Sequence, residues 1–351
     1  MHGGDIYRHK VNIDFSVNVN PLGIPIEVRE AMHKAVDYCG AYPDYICEHL
    51  INGLADELGI QTSGIVLGNG ASELISWIIK IINPQKVVLP VPSFLGYERA
   101  LGSEFVRYTL KQENNFKLDE GILEQLQSDV DMLILTNPNN PTGALIEDKL
   151  MDKILDKAME NDIYVLVDEC FMGFCEDGKR HSLVSKLNKY RRLIIIDAFT
   201  KLYAVPGIRL GYMLCADMTF ADKMRRNMPE WNISTFAQAA GLAVLKMKNR
   251  KSYLEDTLAV VGSERKYLME GLTASGYRVC PSDANFVLFY SKDTGLYEAL
   301  LIENILIRDC SDYAGLCKGW YRAAVKKHSE NVALLGAVNR LKNEYSRENN
   351  F

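Results

Sequence analysis

Lys201 follows an apolar run, Arg192 to Ile196, and Arg209 comes eight residues later with Gly211 just behind it. A lysine amine at the end of a strand can condense with an aldehyde to form a Schiff base, and a guanidinium suits a phosphate. Together they fit the covalent holding of pyridoxal phosphate (PLP). Taken alone, a lysine after a strand reads more readily as a solvated surface charge, so the weight falls on the rest of the chain. Asp168 closes the run Ile163–Asp168. A carboxylate there can pair with a protonated pyridine nitrogen, or simply cap a helix. Gly68-Asn69-Gly70-Ala71-Ser72-Glu73 follows another apolar run and opens a helix. Small residues before a helix N-terminus let N–H groups approach a phosphate; a plain glycine turn is the alternative. Glu73 occupies the place of the third glycine of a dinucleotide fingerprint, which counts against that fingerprint. Phe94 can stack on a planar ring or belong to the core. Arg308 and Arg322 both sit among apolar strand residues. Such arginines require an anion, either a substrate group or an internal carboxylate.

These residues need a frame. Strand-like runs occur at Ile65–Gly68, Lys86–Pro90, Phe105–Leu110, Asp131–Thr136, Ile163–Asp168, Arg192–Asp197 and Leu210–Cys215. Several are apolar on both faces, as in Leu193-Ile194-Ile195-Ile196, and helical patterns separate them, for example Ile146 to about Asn161. That pattern predicts an α/β fold with a mostly parallel seven-stranded sheet covered on both sides. In open sheets of this kind ligands bind beyond the carboxyl ends of the strands, where the candidates lie. After residue 250 the pattern changes to a long helix, Tyr253 to about Ser275, then short strands and a final amphipathic helix. The expected division is an N-terminal arm packing on the small domain (1–40), a large PLP-binding domain (41–248) and a small α+β C-terminal domain (249–351).

Composition narrows the partners. The chain has 351 residues, a net charge of -5 and ordinary apolar and charged fractions. Nothing there suggests nucleic acid as a partner, and no apolar run approaches the roughly 18 residues a membrane span needs. Eight cysteines with no export signal read as reduced thiols in a cytoplasm. Their spacings form no zinc pattern, so no metal is expected.

In order along the chain, Asn69-Gly70-Ala71-Ser72-Glu73, Pro92-Ser93-Phe94, Asn137-Pro138-Asn139-Asn140-Pro141-Thr142-Gly143, Asp168-Glu169, Thr200-Lys201 and Pro206-Gly207-Ile208-Arg209-Leu210-Gly211 resemble the fold-type I PLP enzymes of the aminotransferase class I/II group. The resemblance spans nearly the whole chain. It implies Lys201 as the cofactor lysine, Asp168 as partner of the pyridine nitrogen, Asn140 as donor to the phenolic oxygen and Phe94 as the stacking ring. Gly70, Ala71, Ser72, Thr200 and Arg209 would form the phosphate cup, and Arg322 would bind the substrate carboxylate. Tyr42, in Tyr42-Pro43-Asp44, would reach the cofactor phosphate of the other subunit, which implies a homodimer. Within the group, His2-Gly3-Gly4, the run Asp14 to Gly23 and Ile305 to Tyr313 are similar to the L-threonine-O-3-phosphate decarboxylases of cobalamin biosynthesis, ahead of the histidinol-phosphate aminotransferases. That implies substrate contacts from His2, Asn20 and Arg308. Phe171 fits the decarboxylases too, because many aminotransferases place a tyrosine there. Two departures bear on the substrate: Ala198 stands where a serine is frequent, and Ala314 where the decarboxylases commonly have an arginine.

Overall fold

A computed structural model of the chain describes residues 3–102 and 105–348. The chain opens with a short strand, β1 (Ile13–Asp14), and helix α1 (Ile26–Ala35). Helix α2 (Glu48–Leu58) leads to β2 (Ile65–Gly68), α3 (Ala71–Ile82), β3 (Val87–Val91), α4 (Leu95–Leu101), β4 (Val106–Thr109) and β5 (Met132–Thr136). Next come α5 (Asp148–Glu160), β6 (Tyr164–Asp168), α6 (Gly178–His181), β7 (Leu193–Ala198), α7 (Phe199–Leu202) and β8 (Gly211–Cys215). β2 to β8 form one seven-stranded sheet in the order β2-β8-β7-β6-β5-β3-β4. β8 runs antiparallel to both its neighbours and the other pairs are parallel.

Both faces of this sheet are buried, and successive residues serve opposite sides. Leu133, Val165, Val167, Leu193 and Ile195 pack with α5 and α2 residues on one face. Met132, Ile134, Leu166, Ile194 and Ile196 pack with α3 residues on the other. The unbroken apolar runs follow from this, since a strand covered on both sides has no solvent face to fill with polar residues. Each such side chain contributes about 1.5–3 kcal/mol on burial, so the central strands form a rigid platform.

The rest of the chain carries α8 (Met218–Asn227), α9 (Thr235–Lys246), the long α10 (Arg250–Ala274), β9 (Arg278–Val279), β10 (Phe286–Tyr290), α11 (Leu296–Ile302), β11 (Ile305–Leu306), β12 (Arg308–Asp309), β13 (Trp320–Ala324) and α12 (His328–Glu348). Four strands, β12-β13-β10-β9, make a small antiparallel sheet packed against α10 and α12. β1 pairs in parallel with β11, tying the start of the chain to this smaller unit. α1, in contrast, packs against α9. Among the described residues no helix is long and apolar enough to cross a membrane.

Candidate active site

The parallel strands deliver their carboxyl ends to one edge of the large sheet. β8 runs the other way, so its N-terminal end, preceded by Arg209, reaches the same edge. A cleft of about 200 Å³ opens there, and its walls bring together Ala71, Ser72, Phe94, Asn140, Asp168, Thr200, Lys201, Arg209, Arg308 and Arg322. Most of the expected site residues therefore converge from opposite ends of the sequence on one space.

Lys201 is held by α7, directly after β7. Its carbonyl accepts from the Asn20 main-chain N–H at 3.0 Å, so the arm braces the segment that carries the amine. Burial lowers the affinity of the Lys201 amine for its proton; Arg322 and Arg209 lower it further, while Cys170 and Asp168 oppose the shift. A lysine with a lowered proton affinity is nucleophilic.

Asp168 ends β6 and is buried. Burial pushes its carboxyl upward, against hydrogen bonds from Cys170 and Tyr97 that stabilise the ionised form. The Cys170 N–H donates to Oδ1 at 3.0 Å and the Tyr97 hydroxyl to Oδ2 at 2.7 Å. Phe94 caps α4 and lines the cleft, its ring edge-on to Tyr97.

The phosphate side is shaped by a glycine. Gly70 has φ +79° and precedes α3. A Cβ there would lie 2.8 Å from Arg209 Cζ, and the residue bearing it would have to adopt that positive φ, so a larger residue would be strained and would displace the guanidinium. Gly211 is equally close-packed, because its Cβ would meet the Ala71 nitrogen at 2.7 Å. Free N–H groups at a helix N-terminus beside an arginine, with Thr200 and Ser72 in the same wall, make an anion cradle. Across the cleft, Arg322 is buried; its guanidinium donates to Asn140 Oδ1 and, at 2.8 Å, to the Ser16 carbonyl. Its buried Nε has no partner among the described residues, which suits an incoming carboxylate. Arg308 pairs with Asp312 at 2.7 Å and donates to the Asp309 carbonyl. β12 and β13 place Arg308 and Arg322 as register partners. The donors, lysine, carboxylate and stacking ring fit PLP.

Two expected residues lie elsewhere, and a third is outside the described residues. Asn20 does not line the cleft. Its amide donates to the Leu202 carbonyl and Thr257 Oγ1, both at 2.8 Å, and its oxygen accepts from the Leu22 N–H. These bonds tie the arm to α7 and α10. Tyr42 is 80% exposed, packs against Trp231 with tilted rings whose centroids are 4.8 Å apart, and is absent from the walls of its own cleft. His2 lies outside the described residues, although its neighbour Gly3 does line the cleft. Sequence reasoning missed Cys170, Tyr97 and Tyr313. Cys170 carries a usable signal, being two residues beyond a strand-end aspartate. Tyr97 and Tyr313 carry none, because their neighbours come from distant elements.

The pattern of the family described as "Aminotransferase class I and II" matches residues 10–338, and the chain belongs to that family. A threonine-phosphate decarboxylase from Salmonella typhimurium is 33% identical over 334 residues, covering 93% of this chain and 90% of that one. A protein from Leptospira interrogans named adenosylcobalamin biosynthesis bifunctional protein CobDQ is 30% identical, covering 97% of this chain and 41% of its own length. Among solved structures, the histidinol-phosphate aminotransferase from Clostridium acetobutylicum superimposes with a TM-score of 0.87 at 35% identity, covering 95% of this chain and 99% of that one. The chain is a PLP-dependent enzyme with the fold of this family.

Proposed function

We propose that the enzyme decarboxylates L-threonine O-3-phosphate to (R)-1-aminopropan-2-yl phosphate, a step of cobalamin biosynthesis, in a site where Lys201 carries PLP. The observation that carries this reading is the pair of buried arginines, Arg308 and Arg322, facing one cleft from adjacent strands. Arg308 meets the Asp312 carboxylate and Arg322 meets none among the described residues. The cleft therefore suits a carboxylate on Arg322 and a phosphate that competes with Asp312 for Arg308, and threonine phosphate has both anions on one small frame. The relatives named for threonine phosphate and for adenosylcobalamin synthesis support the same substrate and pathway.

The chain's own groups then divide the work. Gly70, Ala71, Ser72, Thr200 and Arg209 would hold the cofactor phosphate. Phe94 would pack on its ring, Asn140 would donate to its phenolic oxygen, and Asp168 would keep a proton on its pyridine nitrogen. Bound there, PLP supplies an electron sink conjugated to the substrate nitrogen. Arg322 takes the substrate carboxylate and Arg308 its phosphate, so rotation about the N–Cα bond is fixed and the Cα–carboxylate bond is the one presented for cleavage. With carbon dioxide lost, the Lys201 side chain in its ammonium form, or a water, would return a proton to Cα. Phe171, buried against Phe286, offers no hydroxyl to the phenolic oxygen.

The same reading makes the enzyme a cytoplasmic homodimer. Tyr42, Tyr45, Ile46 and Trp231 form an exposed apolar group of the kind a second copy covers, and Tyr42 would enter the partner's site. The division into arm (1–40), cofactor domain (41–248) and small domain (249–351) belongs to this proposal. It is supported by the β1–β11 pairing and by α10 starting at Arg250.

One observation favours transamination of histidinol phosphate: the aminotransferase likeness at 35% identity. Product analysis with threonine phosphate decides. Carbon dioxide and the aminopropanol phosphate without an amino acceptor support decarboxylation. A keto acid formed only with an acceptor supports the aminotransferase.

A further inference from the structure

α4 supplies two aromatic rings to this region from one turn. Phe94 lines the cleft, and Tyr97 lies behind it, fully buried and absent from the cleft walls. The Tyr97 hydroxyl is 2.7 Å from Asp168 Oδ2 and 3.0 Å from Thr136 Oγ1. Thr136 and Asp168 are register partners at the ends of β5 and β6, so three oxygens from three elements form a chain. An ionised carboxylate can only accept, and a tyrosine has one hydroxyl hydrogen. While Asp168 is ionised, that hydrogen must go to Asp168, and Thr136 must then donate to the tyrosine oxygen. The Cys170 N–H donates to Oδ1 and the Cys170 thiol also bonds to the carboxylate, so Tyr97 supplies the donor that reaches Oδ2.

We propose that Tyr97 is a positioning residue acting through Asp168: its hydroxyl holds the carboxylate ionised and oriented, so that the proton shared with the cofactor's pyridine nitrogen stays on the nitrogen. The inference rests on Asp168 being the partner of that nitrogen. Asp168 is buried, and burial favours its protonated form, opposed by the Cys170 hydrogen bonds, by the Tyr97 hydroxyl and by the charge of Lys201. Loss of the tyrosine donor moves the balance further that way. The proton count is unchanged; N–H···O⁻ becomes N···H–O, and the ring withdraws electrons less strongly. Packing alone gives a different expectation, because Tyr97→Phe keeps the ring and its edge-on contact with Phe94.

The test loads Tyr97→Phe with cofactor labelled with nitrogen-15 in the ring and reads the nitrogen chemical shift. The wild-type shift should be that of a protonated pyridine. In Tyr97→Phe it should move toward the unprotonated value, with cofactor stoichiometry retained. kcat should fall by about 10- to 100-fold, the scale seen for groups that orient a ligand through another residue, with KM little changed. An unchanged nitrogen shift in Tyr97→Phe, alongside a shifted Asp168→Asn, overturns the proposal. An unchanged shift in Asp168→Asn overturns instead the placement of Asp168 at the nitrogen. Should Tyr97→Phe fail to fold, 3,5-difluorotyrosine at position 97 keeps the size and strengthens the donor. At fixed pH its nitrogen shift should lie at or nearer the protonated value than wild type, and a move toward the unprotonated value overturns the proposal equally.

Discussion

A lysine amine in water is protonated and a poor nucleophile, and burial changes both properties at Lys201. Its carbonyl is tied to the arm, its amine faces the cleft, and two arginines raise the local positive potential. Lys201→Ala should therefore remove the borohydride-reducible adduct while leaving the phosphate cradle able to bind PLP reversibly. Mass spectrometry of the reduced protein reads this directly, and an adduct that persists on another lysine would refute the assignment. Lys201, Asp168 and Arg209 could be recognised in the sequence because chemistry at a strand end leaves a spacing that survives in one dimension. Asn20 could not be read that way. An asparagine amide serves a substrate or a main chain equally well, and the contacts to Leu202 and Thr257 appear only in the fold. Tyr97 was invisible for a related reason, since its hydroxyl acquires meaning only when α4 closes onto β6.

At the scale of elements, the ends of β6 and β7 gather two buried carboxyl groups, Asp168 and Glu169, and the half-buried Asp197. Burial pushes Asp197 up to about 7, aided by Glu169 and Asp168 and opposed by the Ala198 N–H and the Tyr212 hydroxyl. Glu169 is likewise pushed up to about 7 by burial. A carboxyl raised in the folded state binds its proton more tightly there than in the unfolded chain. Its penalty is absent below the unfolded value near 4, grows as pH rises, and is complete above about 7. Asp197→Asn removes that dependence, so its stability relative to wild type should rise by up to a few kcal/mol between about pH 4 and pH 8. Parallel urea titrations of both proteins measure it, and a constant difference across that range would contradict it. The second element-scale prediction concerns β12. Arg308→Gln should raise KM for threonine phosphate by at least tenfold, because charged hydrogen bonds to phosphate are worth about 1.5–3 kcal/mol, yet leave unphosphorylated amino acids nearly unaffected. Steady-state kinetics on both substrates check it, and equal losses on both would remove Arg308 from the phosphate site. The seven strands were legible because each is an apolar run bounded by turn residues. Observed boundaries differ from the expected ones by a residue or so, as with Val87–Val91 against Lys86–Pro90. The two-residue strands β1, β9 and β12 left no such trace, being defined by partners distant in sequence.

At the scale of the whole molecule, the cleft of one chain holds the lysine, the carboxylate and both arginines, but not Tyr42. That residue lies 80% exposed in an aromatic group with Tyr45 and Trp231, where lost hydration favours contact with another copy. A twofold dimer presents the same patch from each side, so two tyrosines would exchange at once. Mixing two inactive variants tests the exchange. Lys201→Ala lacks the cofactor lysine, and Tyr42→Phe lacks the hydroxyl offered across the interface. If Tyr42 acts in the partner's site, each mixed dimer has one site carrying both lesions and one site intact. Random pairing of equal amounts makes half the dimers mixed, so activity should recover to about a quarter of wild type. If Tyr42 served its own subunit, both sites of a mixed dimer would each carry one lesion and no activity would return. Mass spectrometry under native conditions establishes that subunits have exchanged. No recovery after proven exchange would confine Tyr42 to its own chain and leave the exposed aromatic group without its proposed partner.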